Sequence, residues 1–578
     1  MSDTNSVKKG GEVISTTTSP ISPELPPGRK GFGGFIDSFK PIDWNEIDPN
    51  LSDVEKANIL AAKSPLQRNL KNRHLQMIAI GGSIGTGLFV GSGGALATGG
   101  PASLLIAWML TGIMMYSTVQ ALGELAVAFP ISGSFVQYNT RFISSPWGFT
   151  MTWNYVMGWV VTLPLELVAA SMTIKFWDTK TNPCAWVTIF YVAISAINFF
   201  GVRGYGEAEF MMSLVKVLAI IGFIILGIVL VCGGGPEGGY LGGKYWHDPG
   251  AFSYGFKGLC SVFVTAGFSF SGTELCGLAA AETENPSKNL PKATKQVFWR
   301  ITLFYIVSLT LIGLLVPYNE PRLLNGTSSA DATASPFVIA IKNGGIKGLP
   351  SVFNVVIMIA ILSVGNSCVY ASSRSILSLA EQGFGPKWFG YVDREGRPLV
   401  GIAITVAFGA LCYLAAYKDE DTVFTWMLSL SGLSAFFTWA GINACHLRFR
   451  AALKAQGRST DELTFTAQTG VIGSWFGIIL ITLVLIAQFW VALWPVGGDP
   501  PDAEAFFETW LCLPVIIVFY IFWMVYKKEY RPFRRAVDID IDTGRREVDL
   551  ELVKHEIAEE KARLATKPFY YRVYNWWC

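Results

Sequence analysis

Ile80-Gly81-Gly82-Ser83-Ile84-Gly85-Thr86-Gly87-Leu88 is the stretch that decides the fold, because it interrupts an apolar segment with small residues. A second interruption, Phe268-Ser269-Phe270-Ser271-Gly272-Thr273-Glu274, follows five apolar segments later. Glycine costs roughly 1 kcal/mol relative to alanine in a helix interior, so the four glycines between Gly81 and Gly87 disfavour a continuous helix. Non-helical backbone at membrane depth is tolerated only where it faces protein or a cavity. Such breaks at matching positions in two halves predict the binding site of a membrane transporter.

The composition indicates a membrane protein. Of the 578 residues, 51% are hydrophobic and 15% are charged, against about 25% charged in soluble proteins. A net charge of +2 gives no reason to expect a nucleic-acid partner. The nine cysteines form no CxxC pair and the four histidines are scattered, so we expect no disulfide framework, metal or other cofactor. We also expect no enzyme, since no nucleophile–base constellation appears and the Gly81 stretch lacks the Lys-Ser/Thr of a nucleotide-binding loop.

Apolar runs of about twenty residues, enough to cross a bilayer core, recur along the chain. They predict an all-α polytopic membrane protein with twelve transmembrane helices, the first two separated at Gly99-Gly100-Pro101. The predicted spans are 75–96, 102–129, 149–176, 185–200, 210–232, 258–280, 301–316, 352–379, 399–416, 423–445, 471–491 and 506–525. The chain thus divides into a largely disordered N-terminal tail (1–70), a transmembrane domain (71–526) and a C-terminal tail (527–578).

The distribution of lysine and arginine predicts the orientation, because short cytoplasmic loops carry an excess of these residues. The loops on one side, and both flanks of the transmembrane domain, are the more basic ones. An even number of spans puts both termini on that side, which we therefore predict to be cytoplasmic. Asn325-Gly326-Thr327 then lies outside, where Asn325 is a glycosylation candidate.

Both tails carry local signals. Ser52, with Glu55 three residues later, predicts a helix start with a capping box. After the last span, a cytosolic amphipathic helix is predicted, with a solvated tail as the alternative; its apolar positions are Val548, Leu552, Val553 and Ile557. Exposed lysines near the N-terminus are candidates for ubiquitination: Lys8, Lys9, Lys30 and Lys40.

Three charged residues lie well inside predicted spans: Glu166, Lys216 and Glu274. A charge at the centre of a membrane helix costs about 2.5–3.5 kcal/mol on insertion scales, so each of them needs a partner or a cavity. One interpretation is an ion pair or hydrogen bond that only fixes helix packing. The other is a proton relay, because burial disfavours the charged form of such groups and lets them change protonation during a cycle.

The two breaks offer complementary charges to a ligand. Peptide N–H groups at the helix start after Gly85-Thr86-Gly87 suit a carboxylate, and freed carbonyl groups on the other side of each break suit an ammonium. A zwitterionic amino acid carries one group of each kind. The alternative is that the glycines only allow close helix packing.

Eight motifs resemble the fungal amino acid permeases of the amino acid–polyamine–organocation superfamily. They are RHLQMIAIGG at 73–82, GELA at 123–126, FPISGSF at 129–135, PLE at 164–166, AETENP at 281–286, KQVFWR at 295–300, LSVGNS at 362–367 and NWWC at 575–578. Within that family the general amino acid permeases look most similar, through RREVDL at 545–550 and EIAEEK at 556–561. Trp576 stands where phenylalanine is more usual.

The resemblance implies a 5+5 inverted-repeat (LeuT-like) core with unwound spans 1 and 6, plus two extra helices. It implies broad-specificity proton symport of L-amino acids into the cell by alternating access. Gly85, Thr86 and Gly87 would hold the substrate carboxylate, the backbone at Ser83, Ile84, Phe268 and Ser271 the amino group, and Phe268 would also be an aromatic gate. Thr162, Phe270 and Gly272 complete the substrate-binding set, and Glu166, Lys216 and Glu274 would couple protons.

The resemblance also implies partners, location and modification. Protons and membrane lipids join the amino acids as partners, with ubiquitin ligase machinery on the tails and palmitoylation of Cys578. The location would be the plasma membrane, with transfer to the endosome and vacuole on downregulation. Two alternatives stay open: a narrow-specificity permease for proline, basic or acidic amino acids, and an amino acid sensor or transceptor.

Overall fold

Helices of very different lengths make up the fold. The computed structural model describes residues 37–42, 51–82, 84–324, 335–416, 420–498, 502–545, 555, 558–559 and 562–572. Within these ranges, extended pairing is limited to two isolated β-bridges, Pro41 with Asp393 and Leu70 with Thr283. The α-helices of eight or more residues are α1 (Asp53–Ala62), α2 (Asn72–Gly81), α3 (Ser92–Ala128), α4 (Ser145–Ile174), α5 (Pro183–Phe199), α6 (Gly201–Val231), α7 (Phe263–Phe270), α8 (Pro286–Arg300), α9 (Ser308–Leu315), α10 (Pro336–Asn343), α11 (Leu349–Glu381), α12 (Leu399–Gly409), α13 (Glu420–Ala455), α14 (Gly470–Leu493), α15 (Ala503–Trp510) and α16 (Cys512–Lys527).

Shorter helical segments extend or connect these helices. π-Helical turns form at Gly87–Gly91, Asn139–Ile143, Trp246–Gly250 and Ile301–Val307. Turns of 3₁₀ helix form at Ala279–Glu282, Lys387–Gly390, Ala410–Ala416, Thr460–Glu462 and Ala536–Asp538. Short α-helical segments form at Phe135–Tyr138, Gly255–Ser261, Leu275–Leu278 and Pro321–Leu324.

Seven helical runs in the described residues are long and apolar enough to cross a membrane. They are Gly87–Ala128, Ser145–Ile174, Gly201–Val231, Gly255–Glu282, Pro286–Leu315, Leu349–Glu381 and Gly470–Leu493. Three shorter apolar helices accompany them, at Pro183–Phe199, Leu399–Leu414 and Cys512–Lys527. The protein is therefore an all-helical, polytopic membrane protein.

Many polar side chains are buried inside the bundle beside its apolar core, and many apolar side chains face outward. Ile225 on α6, Ile479 on α14 and Phe522 on α16 each expose more than half of their surface. Asn354 and Asn366 on α11 are fully buried, although both are polar. This arrangement suits lipid, because polar groups at membrane depth must be satisfied within the protein. Helices α4 and α11 pack along each other at the centre, with α13 against α4 and α2 against α6.

Two local predictions from the sequence are confirmed. Gly100 interrupts α3 with φ 81° and ψ 170°, so two helices meet before Pro101. At α1, the Ser52 Oγ accepts a hydrogen bond from the Glu55 N–H, and the Glu55 carboxylate accepts one from the Ser52 N–H at 2.9 Å. The Gly-Pro pair and the capping box were therefore sufficient to locate these two features.

Two helices begin earlier in the chain than the apolar runs predicted. Helix α6 begins at Gly201, not near residue 210, and α8 begins at Pro286 and continues into the apolar run at 301. The helical turns before residue 210 in α6 and before residue 301 in α8 carry charged residues, and a search for apolar runs assigns such residues to loops. As a result, Glu209 and Arg300 lie on helices, and both are buried.

The segment after α16 folds back onto the basic end of the bundle. Ile539 and Ile541 are buried there, and Asp540 accepts a hydrogen bond from Asn58 of α1 at 2.9 Å. An Asp540 oxygen also lies 3.6 Å from the guanidinium of buried Arg141. Burial alone would raise the pKa of Asp540, but the charge of Arg141 and nearby backbone N–H groups outweigh it and lower that pKa. Asp540 thus holds the C-terminal segment to α1 through the hydrogen bond with Asn58 and to the π-helical turn at Asn139–Ile143 through a partly buried ion pair with Arg141.

Candidate functional site

The first break separates α2 from the π-helical turn that leads into α3. Helix α2 ends at Gly81, and the next helical segment begins at Gly87 with Thr86 as its N-cap. Its first helical acceptor is the carbonyl group of Gly85, which binds the N–H of Phe89 at 3.1 Å. A helix that begins here leaves the N–H groups of its first turn without intrahelical acceptors, and these groups carry partial positive charge.

The second break follows α7. Ser271 is extended, with φ −57° and ψ 140°, and Gly272 has φ 92°, a conformation that glycine adopts without steric cost. The Phe270 carbonyl group accepts hydrogen bonds from both the N–H and the hydroxyl of Thr273, which closes a tight turn. Helical structure resumes at Leu275.

The two breaks touch each other inside the bundle. A Cβ atom added to Gly87 would lie 2.7 Å from the Ser269 Cα and 2.9 Å from the Ser269 nitrogen. A Cβ atom on Gly272 would lie 3.4 Å from the Gly82 carbonyl oxygen. Glycine is therefore required at Gly87 because backbone meets backbone there. The backbone of the two breaks is thus brought to one place inside the bundle.

Two buried cations bind the carbonyl end of α2. The Lys216 Nζ on α6 donates a hydrogen bond to the Gly81 oxygen at 2.5 Å. The Arg300 guanidinium on α8 donates to the Ala79 oxygen and to the Thr273 hydroxyl in the second break. Cations at this position complement the partial negative charge at a helix C-terminus. Arg300 thereby connects the two breaks.

Two buried carboxylates flank the breaks. Glu166 on α4 accepts a hydrogen bond from the Thr86 hydroxyl in the first break, and its Oε1 has no hydrogen-bond partner among the described residues. Glu274 accepts hydrogen bonds from the Gly272 N–H at 3.3 Å and from the Trp439 indole at 3.2 Å. One carboxylate is thus assigned to each break.

A narrow cavity lies between the second break, α4 and α13. It is lined by Tyr155, Gly158, Trp159, Thr162, Ser271, Glu274, Ser431, Ser434 and Ala435, and has room for about one water molecule. The Thr162 and Ser431 hydroxyls are 2.6 Å apart and share a hydrogen bond across it. A Cβ atom on Gly158 would lie 2.7 Å from the Ser434 Oγ, so the cavity is narrow at this point.

The structure distributes the predicted site residues unevenly. Thr162, Ser271 and Glu274 line the cavity, whereas the described residues of the first break are not among its lining residues. The Phe270 ring does not line the cavity: it stacks on Tyr305 with centroids 4.4 Å apart. Buried residues at the breaks themselves are Ile84, Gly85, Thr86, Gly87, Phe268 and Gly272. Ser83, Asn325 and Cys578 lie outside the described residues.

Several functional candidates were missed from the sequence. Tyr155 and Trp159 share a face of α4 with Thr162 and Glu166, and this helical spacing could have revealed them. Ser431 and Ser434 are polar residues three apart in a predicted span, which is a weaker signal. Arg300 stands just before the predicted span 301–316, so the apolar run does not include it, and no sequence pattern indicates its contact with Ala79 and Thr273.

Comparisons with known proteins agree on one family. Residues 74–536 match the family described as Amino acid permease. The general amino-acid permease GAP2 of Candida albicans is 65% identical over 555 residues, which cover 96% of this chain and 94% of that protein. The general amino-acid permease GAP1 of Saccharomyces cerevisiae is 62% identical, with 94% and 91% covered. The histidine permease of the same yeast is 50% identical, with 98% and 94% covered.

Proposed function

The chain belongs to the amino acid permease family, and from this premise we propose that it carries a broad range of L-amino acids into the cell. Transport is coupled to protons and proceeds by alternating access. The observation that carries this proposal is the contact between the two interrupted helices, through Gly87 and Ser269, beside two buried carboxylates. The relatives are permeases and not enzymes, in agreement with a role in transport.

The substrate backbone binds the breaks and its side chain points toward the cavity, which widens beyond its present one-water size to admit it. The carboxylate receives hydrogen bonds from the backbone at Gly85, Thr86 and Gly87. The ammonium binds carbonyl groups at Ser83, Ile84, Phe268 and Ser271. Thr162 borders the side-chain cavity, Gly272 provides the turn, and Phe270 contributes through its backbone, since its ring packs elsewhere. Recognition of backbone groups, with a separate side-chain cavity, supports a broad substrate range.

Protons move through Glu166, Lys216 and Glu274. All three are buried, and the Glu166 oxygen without a described partner adjoins the break. We expect Glu166→Gln and Lys216→Met to lose proton-coupled accumulation while still reaching the membrane. The test is uptake of labelled amino acids into vesicles that contain the purified protein, with and without an imposed pH gradient. Full pH-driven uptake by both variants would remove this assignment.

The architecture proposed for the whole chain has twelve spans in a 5+5 inverted-repeat core plus two extra helices. Helices α2 to α16 support it: without the short helix α10 they supply twelve helical passages when α3 is divided at Gly100 and the segments on either side of each interruption are joined. Both tails (1–70 and 527–578) are cytoplasmic, and the protein lies in the plasma membrane. Ubiquitin ligase contacts, transfer to the endosome and vacuole, glycosylation of Asn325 and palmitoylation of Cys578 complete the proposal.

A narrow-specificity permease is the second candidate, because a histidine permease is 50% identical to this chain. Competition for labelled uptake by a panel of amino acids separates the two functions. A broad carrier is inhibited by small, large, acidic and basic amino acids alike. Inhibition by one chemical class alone would favour the narrow permease.

A further inference from the structure

We propose that Glu209 on α6 is a further proton-coupling residue, which exchanges a proton with Lys216 through the hydroxyl of Ser363. This inference rests on the proposed proton symport and adds a carboxylate to it. Glu209 is fully buried, as is Lys216 seven residues later on the same helix. Seven residues of α-helix rise about 10 Å, so Glu209 lies well toward the basic, cytosol-facing end of the bundle.

Three hydrogen-bonding groups form a continuous path. The Lys216 Nζ donates to the Ser363 Oγ at 2.7 Å, and the Ser363 hydroxyl lies 2.8 Å and 2.7 Å from the two Glu209 oxygens. The direct distance from Nζ to the nearer carboxylate oxygen is 3.5 Å. Ser213 also donates to Glu209, at 2.9 Å. The Ser363 hydroxyl on α11 thus accepts a hydrogen bond from the Lys216 ammonium and donates one to the Glu209 carboxylate.

The path begins at the first break. Lys216 also binds the Gly81 oxygen, so the cation joins α2, α6 and α11. Glu166 and Arg300 act electrostatically on Lys216 from α4 and α8. A carboxylate as deeply buried as Glu209 is costly unless it is paired, and Lys216 is the cation that pairs with it.

The surroundings of Glu209 contain few other titratable groups. On α6 itself, Tyr205 lies one turn away and interacts electrostatically with Glu209, and Glu207 points to a different face. Helices α5 and α9 carry no aspartate, glutamate, lysine, arginine or histidine. The remaining titratable or charged residues on α6 and on the elements packed against it are Arg203 on α6, Arg73 and His74 on α2, Cys184 and Tyr191 on α5, Cys368, Tyr370, Arg374 and Glu381 on α11, and Tyr305 in the π-helical turn that follows Arg300, the last residue of α8.

The proton step is balanced within these three residues. The Lys216 ammonium gives a proton to the Ser363 oxygen while the Ser363 hydroxyl proton passes to a Glu209 oxygen. Lysine and glutamate both become neutral, and the serine is unchanged. The charge that held the Gly81 carbonyl group is then lost, which weakens the attachment of α2 to α6. Proton release toward the cytosol is thereby linked to movement of the first break.

Glu209→Gln tests the proposal, because glutamine keeps the shape of the side chain but cannot accept the proton. The matched control is Glu207→Gln, the same change two residues away at a position with 43% of its side chain exposed. Each purified protein is reconstituted into vesicles that contain a pH-sensitive dye. The measurements are exchange of labelled amino acid at equal pH and the number of protons that enter per amino acid. A second pair, Ser363→Ala and Ser363→Thr, removes the bridging hydroxyl and then restores it.

We expect Glu209→Gln to retain exchange of labelled amino acid while the entry of protons per amino acid is lost, because glutamine cannot accept the proton. Glu207→Gln keeps the wild-type ratio. We expect Ser363→Ala to lower the number of protons that enter per amino acid, and Ser363→Thr to restore it. An unchanged ratio in Glu209→Gln overturns the proposal even if total transport is reduced, because a structural role lowers both quantities together. If Glu209→Gln does not fold, a wild-type ratio in Ser363→Ala overturns it. If the wild-type protein moves amino acid without protons, proton symport itself fails.

Discussion

Gly87→Ala tests the contact between the two breaks most directly. The new Cβ atom would lie 2.7 Å from the Ser269 Cα, whereas ordinary van der Waals contact begins at 3.4 Å. The two backbone segments must therefore separate by about 0.7 Å, because neither atom belongs to a flexible side chain. Overpacking of this kind costs about 1–3 kcal/mol.

The effect on transport should exceed the effect on folding. A misplacement of about 1 Å in a positioning site costs about 10²-fold in rate, so we expect uptake to fall by about 10–10²-fold. The assay is initial uptake of labelled amino acid, divided by the amount of protein at the cell surface. Gly94→Ala is the matched control, because Gly94 lies on α3 with nothing within 4 Å of its added Cβ. Normal uptake by Gly87→Ala would refute the backbone contact on which the site is built.

Three further changes test other parts of the molecule. Gly158→Val should narrow the cavity against Ser434 and reduce uptake of large amino acids more than uptake of glycine or alanine; an equal reduction for all would contradict the cavity assignment. Arg300→Gln should reduce uptake by at least about 10-fold at unchanged surface amount, since a charged hydrogen bond contributes about 1.5–3 kcal/mol; unchanged uptake would show that its two contacts are dispensable. Asp540→Asn should lower stability in detergent by about 1–2 kcal/mol at pH 7, with exposed Asp538→Asn as control. Because the folded-state pKa of Asp540 is lowered, this stabilisation is present above about pH 4 and lost as pH falls through the folded-state pKa; a melting-temperature difference that vanishes already at pH 5.5 would contradict it.

The breaks could be predicted from the sequence because glycine density is a local property. Gly81, Gly82, Gly85 and Gly87 weaken any helix in which they stand, whatever surrounds them. The contact of Gly87 with Ser269 could not be predicted in the same way, since it joins segments about 180 residues apart. The sequence reveals such a break only through the free-energy cost of placing several glycines in a helix. The sequence does not show which other backbone segment will pack against the glycines of the break.

The rest of the site depends on helix rotation and on charges near helix ends. Phe270 and Phe268 are two residues apart, and only the rotation of α7 decides that the Phe270 ring stacks on Tyr305. Arg300 and Glu209 lie in turns that a search for apolar runs leaves outside the membrane. Ser431 reaches Thr162 from another helix, and such a pairing leaves no pattern in either segment.

Arg300 joins two parts of the protein that are distant in the chain. Its guanidinium holds the end of α2 through Ala79 and the second turn through Thr273. When the inner side opens, these two elements should therefore move together as one rigid body relative to α11. Spin labels on α2 and at the 275–282 segment would keep their separation through the cycle, and the distance from either label to α11 would change.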